Sequence, residues 1–240
     1  MNLVLDIGNT NVKSALFDHD KMIDFQILKD FSELTLENLT LKNPTIKSIC
    51  ISNSAKKNNF IPSFCLAKNI QYLDIVEISD LPITIEYETP NTLGSDRLAL
   101  AIGALQYAGN KLIIDFGTCV TYDILLGSRY MGGQISPGLE MRLASLNHYT
   151  EQLPKLNLEY IDDYIGKNTH ESMLIGVFDS LLFEVKNVIE KYQSRYTNIT
   201  IIITGGGLEL IKKRIKNINF INPYLLMEGL NYIIACNEEI

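Results

Sequence analysis

The chain of 240 residues holds 21 lysines and arginines against 28 aspartates and glutamates, a formal net charge of −7, so it offers no basic footprint for DNA or RNA and nucleic acid is excluded as the expected partner. At 46% hydrophobic and 20% charged it is composed like a folded globular protein, long enough for one large domain or two ordinary lobes, which excludes disorder. No run approaches the roughly twenty apolar residues of a membrane span, and Cys50, Cys65, Cys119 and Cys236 form no CxxC pair for zinc or redox chemistry, so a cytoplasmic protein with reduced thiols and no membrane partner is expected.

The start, Met1-Asn2-Leu3-Val4-Leu5-Asp6, lacks the basic segment and long apolar stretch of a secretion signal and has the pattern of a strand. That strand ends in Asp6-Ile7-Gly8, residues 11–17 predict a second strand, and Asp18-His19-Asp20 is a polar turn. Further strands are predicted over 46–51 and 72–76. Residues 94–108 predict a helix, with Leu98, Ala101, Ile102 and Leu105 at helical spacing. The opening then recurs: Leu112-Ile113-Ile114 leads into Asp115-Phe116-Gly117-Thr118, residues 120–126 repeat the second strand, and Gly127-Ser128-Arg129 repeat the turn. Leu174, Val177, Phe178, Leu181, Val185 and Val188 predict a longer helix, preceded by the capping pattern Asn168-Thr169-His170-Glu171-Ser172. A strand over 199–204 runs into Gly205-Gly206-Gly207, followed by a helix from near Leu208 and a strand over 217–221. Both apolar stripes are core faces rather than cofactor boxes. The alternation predicts mixed α/β lobes, divided into residues 1–93 and 94–240 with helix 94–108 as a bridge, and a ligand cleft between them.

A single Asp-x-Gly turn occurs in many folds, but two copies in one strand register supply two carboxylates and two glycine turns whose bare backbone N–H groups can approach phosphate oxygens. Asn9, Thr10, Asn11 and Lys13 add donors and a positive charge to the first copy. Asp6 is placed to hold a hydrated Mg²⁺ ion, which keeps several waters between itself and a carboxylate. Strand, glycine turn and helix at Thr204-Gly205-Gly206-Gly207 suit a nucleotide, while the P-loop and dinucleotide fingerprints are both missing. His19, His148 and His170 show no ligand spacing.

The ordered set of Asp-x-Gly-x-Thr, Asp-x-Gly-Thr and Thr-Gly-Gly resembles the phosphate and adenosine motifs of the actin, sugar kinase and Hsp70 superfamily. Within it the chain resembles type III pantothenate kinases, through Asp6 to Thr10, Gly94-Ser95-Asp96-Arg97, Asp115 to Thr118, residues 132–138, Thr204-Gly205-Gly206 and Glu228-Gly229-Leu230. The resemblance implies two duplicated ribonuclease H-like lobes with mixed sheets flanked by helices and a nucleotide cleft between them. It implies ATP with Mg²⁺ and pantothenate as substrates, phosphorylated in the first step of coenzyme A synthesis, and a homodimer with shared active sites.

Residue by residue, it implies ATP binding by Asp6, Ile7, Gly8, Asn9, Thr10, Asn11, Val12 and Lys13, with Thr118, Gly205 and Gly206. Asp115 matches the ligand of a monovalent cation, K⁺ or NH₄⁺. Pantothenate contacts fall on Tyr87, Gly94, Ser95, Asp96 and Arg97, with Thr169 donated across the dimer, and Asp96 matches the catalytic proton acceptor. Ser95 stands where alanine is common. A carboxylate that orients a hydroxyl and takes its proton suits attack on a γ-phosphate, and Arg97 suits pairing with a substrate carboxylate. Two alternatives remain open from the residues alone: a related kinase or phosphohydrolase acting on another substrate, and a non-catalytic nucleotide-binding regulator.

Overall fold

The structure is a computed structural model describing residues 1–8, 11–54, 60–211, 214–215 and 218–238. In chain order its strands and helices are β1 (Asn2–Ile7), β2 (Val12–Asp18), β3 (Lys21–Leu28), α1 (Glu33–Lys42), β4 (Ser48–Asn53), α2 (Phe60–Lys68), β5 (Gln71–Asp74), β6 (Thr84–Ile85) and α3 (Ser95–Gly103). They continue with β7 (Lys111–Phe116), β8 (Cys119–Leu126), β9 (Arg129–Pro137), α4 (Leu139–His148), α5 (Thr169–Arg195), β10 (Thr200–Thr204), α6 (Leu208–Ile211), β11 (Phe220–Ile221) and α7 (Leu225–Glu238). Among the described residues no helix is long and apolar enough to cross a membrane.

The chain divides into two compact units: residues 1–106 with 128–130 and 224–240, and residues 107–127 with 131–223. This grouping differs from a division at residue 93, because helix α3 and the carboxy-terminal α7 pack on one another and both fall with the first unit. The expected helix over 94–108 is α3 followed by a short 3₁₀ turn, Ala104–Gln106.

In the first unit the strands lie in the order β3-β2-β1-β4-β5, and β1 pairs antiparallel with β2 and parallel with β4. Every residue of β1 is buried, as in a central strand covered on both faces. The two-residue period divides it: Leu3, Leu5 and Ile7 enter a cluster with Leu36 of α1 and Ile61 and Phe64 of α2. Asn2, Val4 and Asp6 are therefore left to the opposite face, where α7 packs on β1 and β4 and Asn2 donates a 3.1 Å hydrogen bond to Asn231. That face is closed by a tight crossing of α3 and α7. A Cβ at Gly229 would stand 2.0 Å from the Ala99 carbonyl oxygen, and one at Gly103 would stand 2.2 Å from that of Leu225, so both positions need glycine for the helices to meet.

The second sheet repeats the plan. Its order β9-β8-β7-β10-β11 matches β3-β2-β1-β4-β5 strand for strand, with β7–β8 antiparallel and both β7–β10 and β10–β11 parallel. The duplication visible in Asp-x-Gly thus extends through a whole sheet. Strand β6 pairs with Arg129 and Tyr130 at the start of β9, residues that belong to the first unit. Leu112, Ile114 and Phe116 of β7 pack with Leu143 of α4 and Leu174, Phe178, Leu181 and Val185 of α5, so the long apolar stripe is a core face. Residues 132–137 complete strand β9, and Gly138 is the N-cap of α4. The strand expected over 217–221 is confined to Phe220–Ile221 among the described residues.

Candidate active site

Strand register builds the first cluster. Asp6 is opposite Lys13 on β2 and Ser52 on β4, and partners across a ladder share a face. Lys13 Nζ reaches Asp6 Oδ2 at 3.5 Å. Ser52, wholly buried, hydrogen-bonds Asp6 and also Ser95 Oγ at 3.0 Å, which ties the end of β1 to the first turn of α3. Burial pushes the Asp6 carboxyl up, the Lys13 charge pulls it down and the Asp96 charge pushes it up again; the balance leaves it above the usual aspartate value. A buried carboxylate only partly compensated, with a second carboxylate close by, fits a hydrated divalent cation that binds through oxygen. Among the described residues there is no group of three or more His, Cys, Asp or Glu that could hold a metal ion.

Gly8 closes the first turn by donating its N–H to Asn11 O at 3.2 Å. Ile7 and Val12, expected in the nucleotide stretch, belong to the core cluster, so only their backbone can serve a ligand. Asn11 is exposed. Asn9 and Thr10 lie outside the described residues.

Gly94 is the N-cap of α3, which puts Asp96 in the first turn, where the helix dipole favours a carboxylate. Its Oδ1 accepts from Arg97 N at 2.9 Å. Arg97 is only 5% exposed, and its guanidinium lies 5.9 Å from the ring centres of both Tyr87 and Tyr130, within cation–π range. The first unit therefore brings together Asp6, Lys13, Ser95 and Asp96, with Arg97 and Tyr87 adjoining. Ser52 and Tyr130 were missed from the sequence. The polar end of an apolar strand marks Ser52, but neither partnership is visible without the strand register.

In the second unit Asp115 holds the position of Asp6, with Thr121 and Thr204 as register partners in place of Lys13 and Ser52. The position of Lys13 thus carries a hydroxyl in the second frame, while the position of Ser52 keeps one. Gly205 has φ +98°, and a Cβ there would stand 2.4 Å from Asp115 Oδ1 and 2.5 Å from Phe116 N, so glycine alone lets this turn sit on Asp115. Gly207 N donates to Phe116 O at 2.8 Å, and Gly206 is exposed beside it. Gly117 and Thr118 are exposed, the former donating to Cys119 O at 3.0 Å. Thr169 is the first residue of α5, but the cap is Asn168, whose Oδ1 accepts from Glu171 N at 2.9 Å. Thr169 is exposed and lines a groove of about 620 Å³ with Arg142, Met173, Gly176 and Ser180.

Two sheets of one strand order, each with Asp-x-Gly at the end of its central strand, define an actin-like kinase fold of the sugar-kinase type. A provisionally assigned 2-dehydro-3-deoxygalactonokinase from Sinorhizobium meliloti shares it over the whole of both chains, with a TM-score of 0.63 at 11% identity. A Campylobacter jejuni protein, provisionally described as a Baf family transcriptional activator, shares it with a TM-score of 0.65 at 20% identity, over 99% of this chain and 100% of that one. Residues 2–191 match the model of the type III pantothenate kinase family. The type III pantothenate kinase of Christiangramia forsetii is 40% identical over 243 residues, 99% of either chain. The chain belongs to the type III pantothenate kinase family and is a kinase, and membership implies ATP with a divalent metal.

Proposed function

We propose that this protein transfers the γ-phosphoryl group of ATP to the primary hydroxyl of pantothenate, giving 4′-phosphopantothenate for coenzyme A synthesis. Besides family membership, the observation that carries the reading is the cluster of Asp6, Lys13, Ser95 and Asp96, with Arg97 and Tyr87 beside it in one unit. Asp96 orients the pantothenate hydroxyl and takes its proton as the oxygen attacks the γ-phosphorus; the bond to the β–γ bridging oxygen breaks and ADP departs. Arg97, buried and backed by aromatic rings, binds the pantothenate carboxylate, with Tyr87, Gly94 and Ser95 shaping the pocket. The backbone from Asp6 to Lys13 and the turns at Thr118, Gly205 and Gly206 bind the nucleotide. Asp6 would hold the divalent cation through intervening waters, and that cation would supply charge to neutralise the phosphates during transfer. Asp115 holds K⁺ or NH₄⁺.

The reading includes a cytoplasmic homodimer in which Thr169 of each chain completes its partner's pantothenate site. The exposed Thr169, the groove it lines and the 62% exposed Phe183 on the same helix support such an interface. A non-catalytic regulator is the second reading, suggested by the description of the Campylobacter protein. Retention of Asp6, Asp96, Asp115 and Thr118 favours turnover. The deciding experiment follows ADP release and product mass with pantothenate, Mg²⁺ and ATP, in K⁺ and then Na⁺ buffers. Pantothenate-dependent transfer supported by K⁺ is expected; none with pantothenate but some with another hydroxyl compound would refute the substrate, and equal rates in Na⁺ would remove the monovalent cation.

A further inference from the structure

Glu184, in the middle of α5, is 26% exposed yet collects three donors. Tyr122 Oη reaches its Oε1 at 2.8 Å, Ser136 Oγ reaches Oε2 at 3.1 Å, and Arg142 Nη2 binds Oε2 in a close ion pair. Burial would raise the Glu184 carboxyl, but the bonds from Arg142, Tyr122 and Ser136 and the Arg142 charge outweigh it and hold it below the usual glutamate value. Arg142 in turn donates through Nη2 to Ser136 Oγ at 2.9 Å and through Nε to the Pro137 carbonyl at 2.7 Å. The pair therefore fastens residues 136 and 137 from two sides.

The next residue reaches the second Asp-x-Gly turn. Gly138 N donates to Thr118 O at 3.1 Å, and a Cβ on Gly138 would stand 2.6 Å from the carbonyl oxygens of both Gly117 and Thr118. There is no slack between residue 138 and the turn. A carboxylate on α5 and a guanidinium on α4 are thus connected through Pro137 and Gly138 to the backbone of Thr118. A surface ion pair bound for stability alone would be worth little. This one is charge-assisted and multiply bonded, and its partners lie on the strand that abuts the turn.

We propose that Glu184 and Arg142 are positioning residues for the nucleotide: through Pro137 and Gly138 they fix the Gly117–Thr118 turn against the phosphates of ATP. This rests on the reading of Thr118 as a phosphate contact. Displacement of a positioning element by about 1 Å can cost on the order of 10²-fold in rate, and the turn is held here at one remove, so a smaller loss falls on ATP.

The test measures steady-state constants for both substrates, together with binding of the fluorescent analogue mant-ATP, on Glu184→Ala, Glu184→Gln and Thr118→Ala. Glu184→Ala is expected to raise the KM for ATP and the mant-ATP Kd about tenfold while leaving the KM for pantothenate within about twofold. Glu184→Gln keeps the volume and an acceptor but loses the charge, and is expected to recover part of that loss. If Glu184→Ala does not fold, Glu184→Gln is read alone, with a rise of about threefold or more expected. Nucleotide constants at wild-type values in the folded Glu184 variants, or equal losses for ATP and pantothenate, would overturn the positioning role. Thr118→Ala separates the two layers: if it too behaves as wild type, the phosphate role and the inference fall together, whereas a damaged Thr118→Ala beside unaffected Glu184 variants removes the inference and leaves the phosphate reading standing.

Discussion

Gly229→Ala tests the crossing of α3 and α7 and its hold on the active site. The new Cβ would lie 2.0 Å from Ala99 O and 2.8 Å from Gly103 N, where ordinary contact starts at 3.4 Å, so the helices must part by about 3.4 − 2.0 = 1.4 Å. The obstacle is backbone, which cannot rotate away. Overpacking of this kind costs about 3 kcal/mol at the upper end of its usual range, and the better helix propensity of alanine returns roughly 1 kcal/mol. A net loss of about 2 kcal/mol corresponds to a melting temperature lower by roughly 4–8 °C for a chain of this size. The kinetic effect is expected to be larger. Ala99 is three residues from Asp96 in the same helix, so the displacement reaches the proton acceptor, and a fall in kcat of about tenfold or more is expected. Gly103→Ala, whose Cβ would lie 2.2 Å from Leu225 O, is relieved by the same separation, so the double variant is expected to lose less than the sum of the single ones. Circular dichroism melts and steady-state kinetics on all three variants decide it; wild-type melting and turnover in Gly229→Ala, or strict additivity in the double, would refute the reasoning.

Asp96→Asn keeps the size of the side chain and is expected to cost about two or more orders of magnitude in kcat with melting unchanged; near-normal turnover would reject the base. Mixing Asp96→Asn chains with an impaired Thr169→Ala variant is expected to raise activity above either parent, because one composite site per heterodimer is then intact, and no rescue after proven subunit exchange would count against a shared site. The Glu184 carboxyl is held below its ordinary value of 4.5, so its contribution to stability is present above that pH and lost as pH falls through the depressed value. Glu184→Gln should accordingly be less stable than wild type at pH 7, with the gap closing in melts below pH 4.5; an equal gap at pH 3 and pH 7 would contradict this.

Local pattern revealed the two Asp-x-Gly turns because each is made by consecutive residues: an apolar strand, a turn and a second strand need no distant partner to be read. Asp96 and Thr118 followed by resemblance, and α5 followed from its stripe and its cap. What escaped depends on long-range pairing. Ser52 meets Asp6 only because β4 pairs with β1 in one register, and Tyr130 meets Arg97 from residues 33 positions away. The capping pattern at residues 168–172 was legible, yet Asn168 rather than Thr169 makes the cap, which leaves the Thr169 side chain for another task. The return of α7 to the first unit left no trace in composition, because its partner Asn2 is 229 positions earlier and glycines at helix crossings look like any others.

That return affects how the chain can be made. Residues 1–106 leave the ribosome first, but one face of their sheet waits for α7, and the 118 residues from 107 to 224 must be synthesised in between. At ordinary translation rates the delay is roughly 6–24 s, during which Val4, Phe17 and the apolar side of α3 have no α7 to cover them. The second unit is contiguous except for residues 128–130 and ends at Pro223, so all of its own chain precedes α7. The first unit therefore closes only after the chain of the second has been made, and nascent chains stalled short of residue 225 leave the α7-facing side of its sheet uncovered.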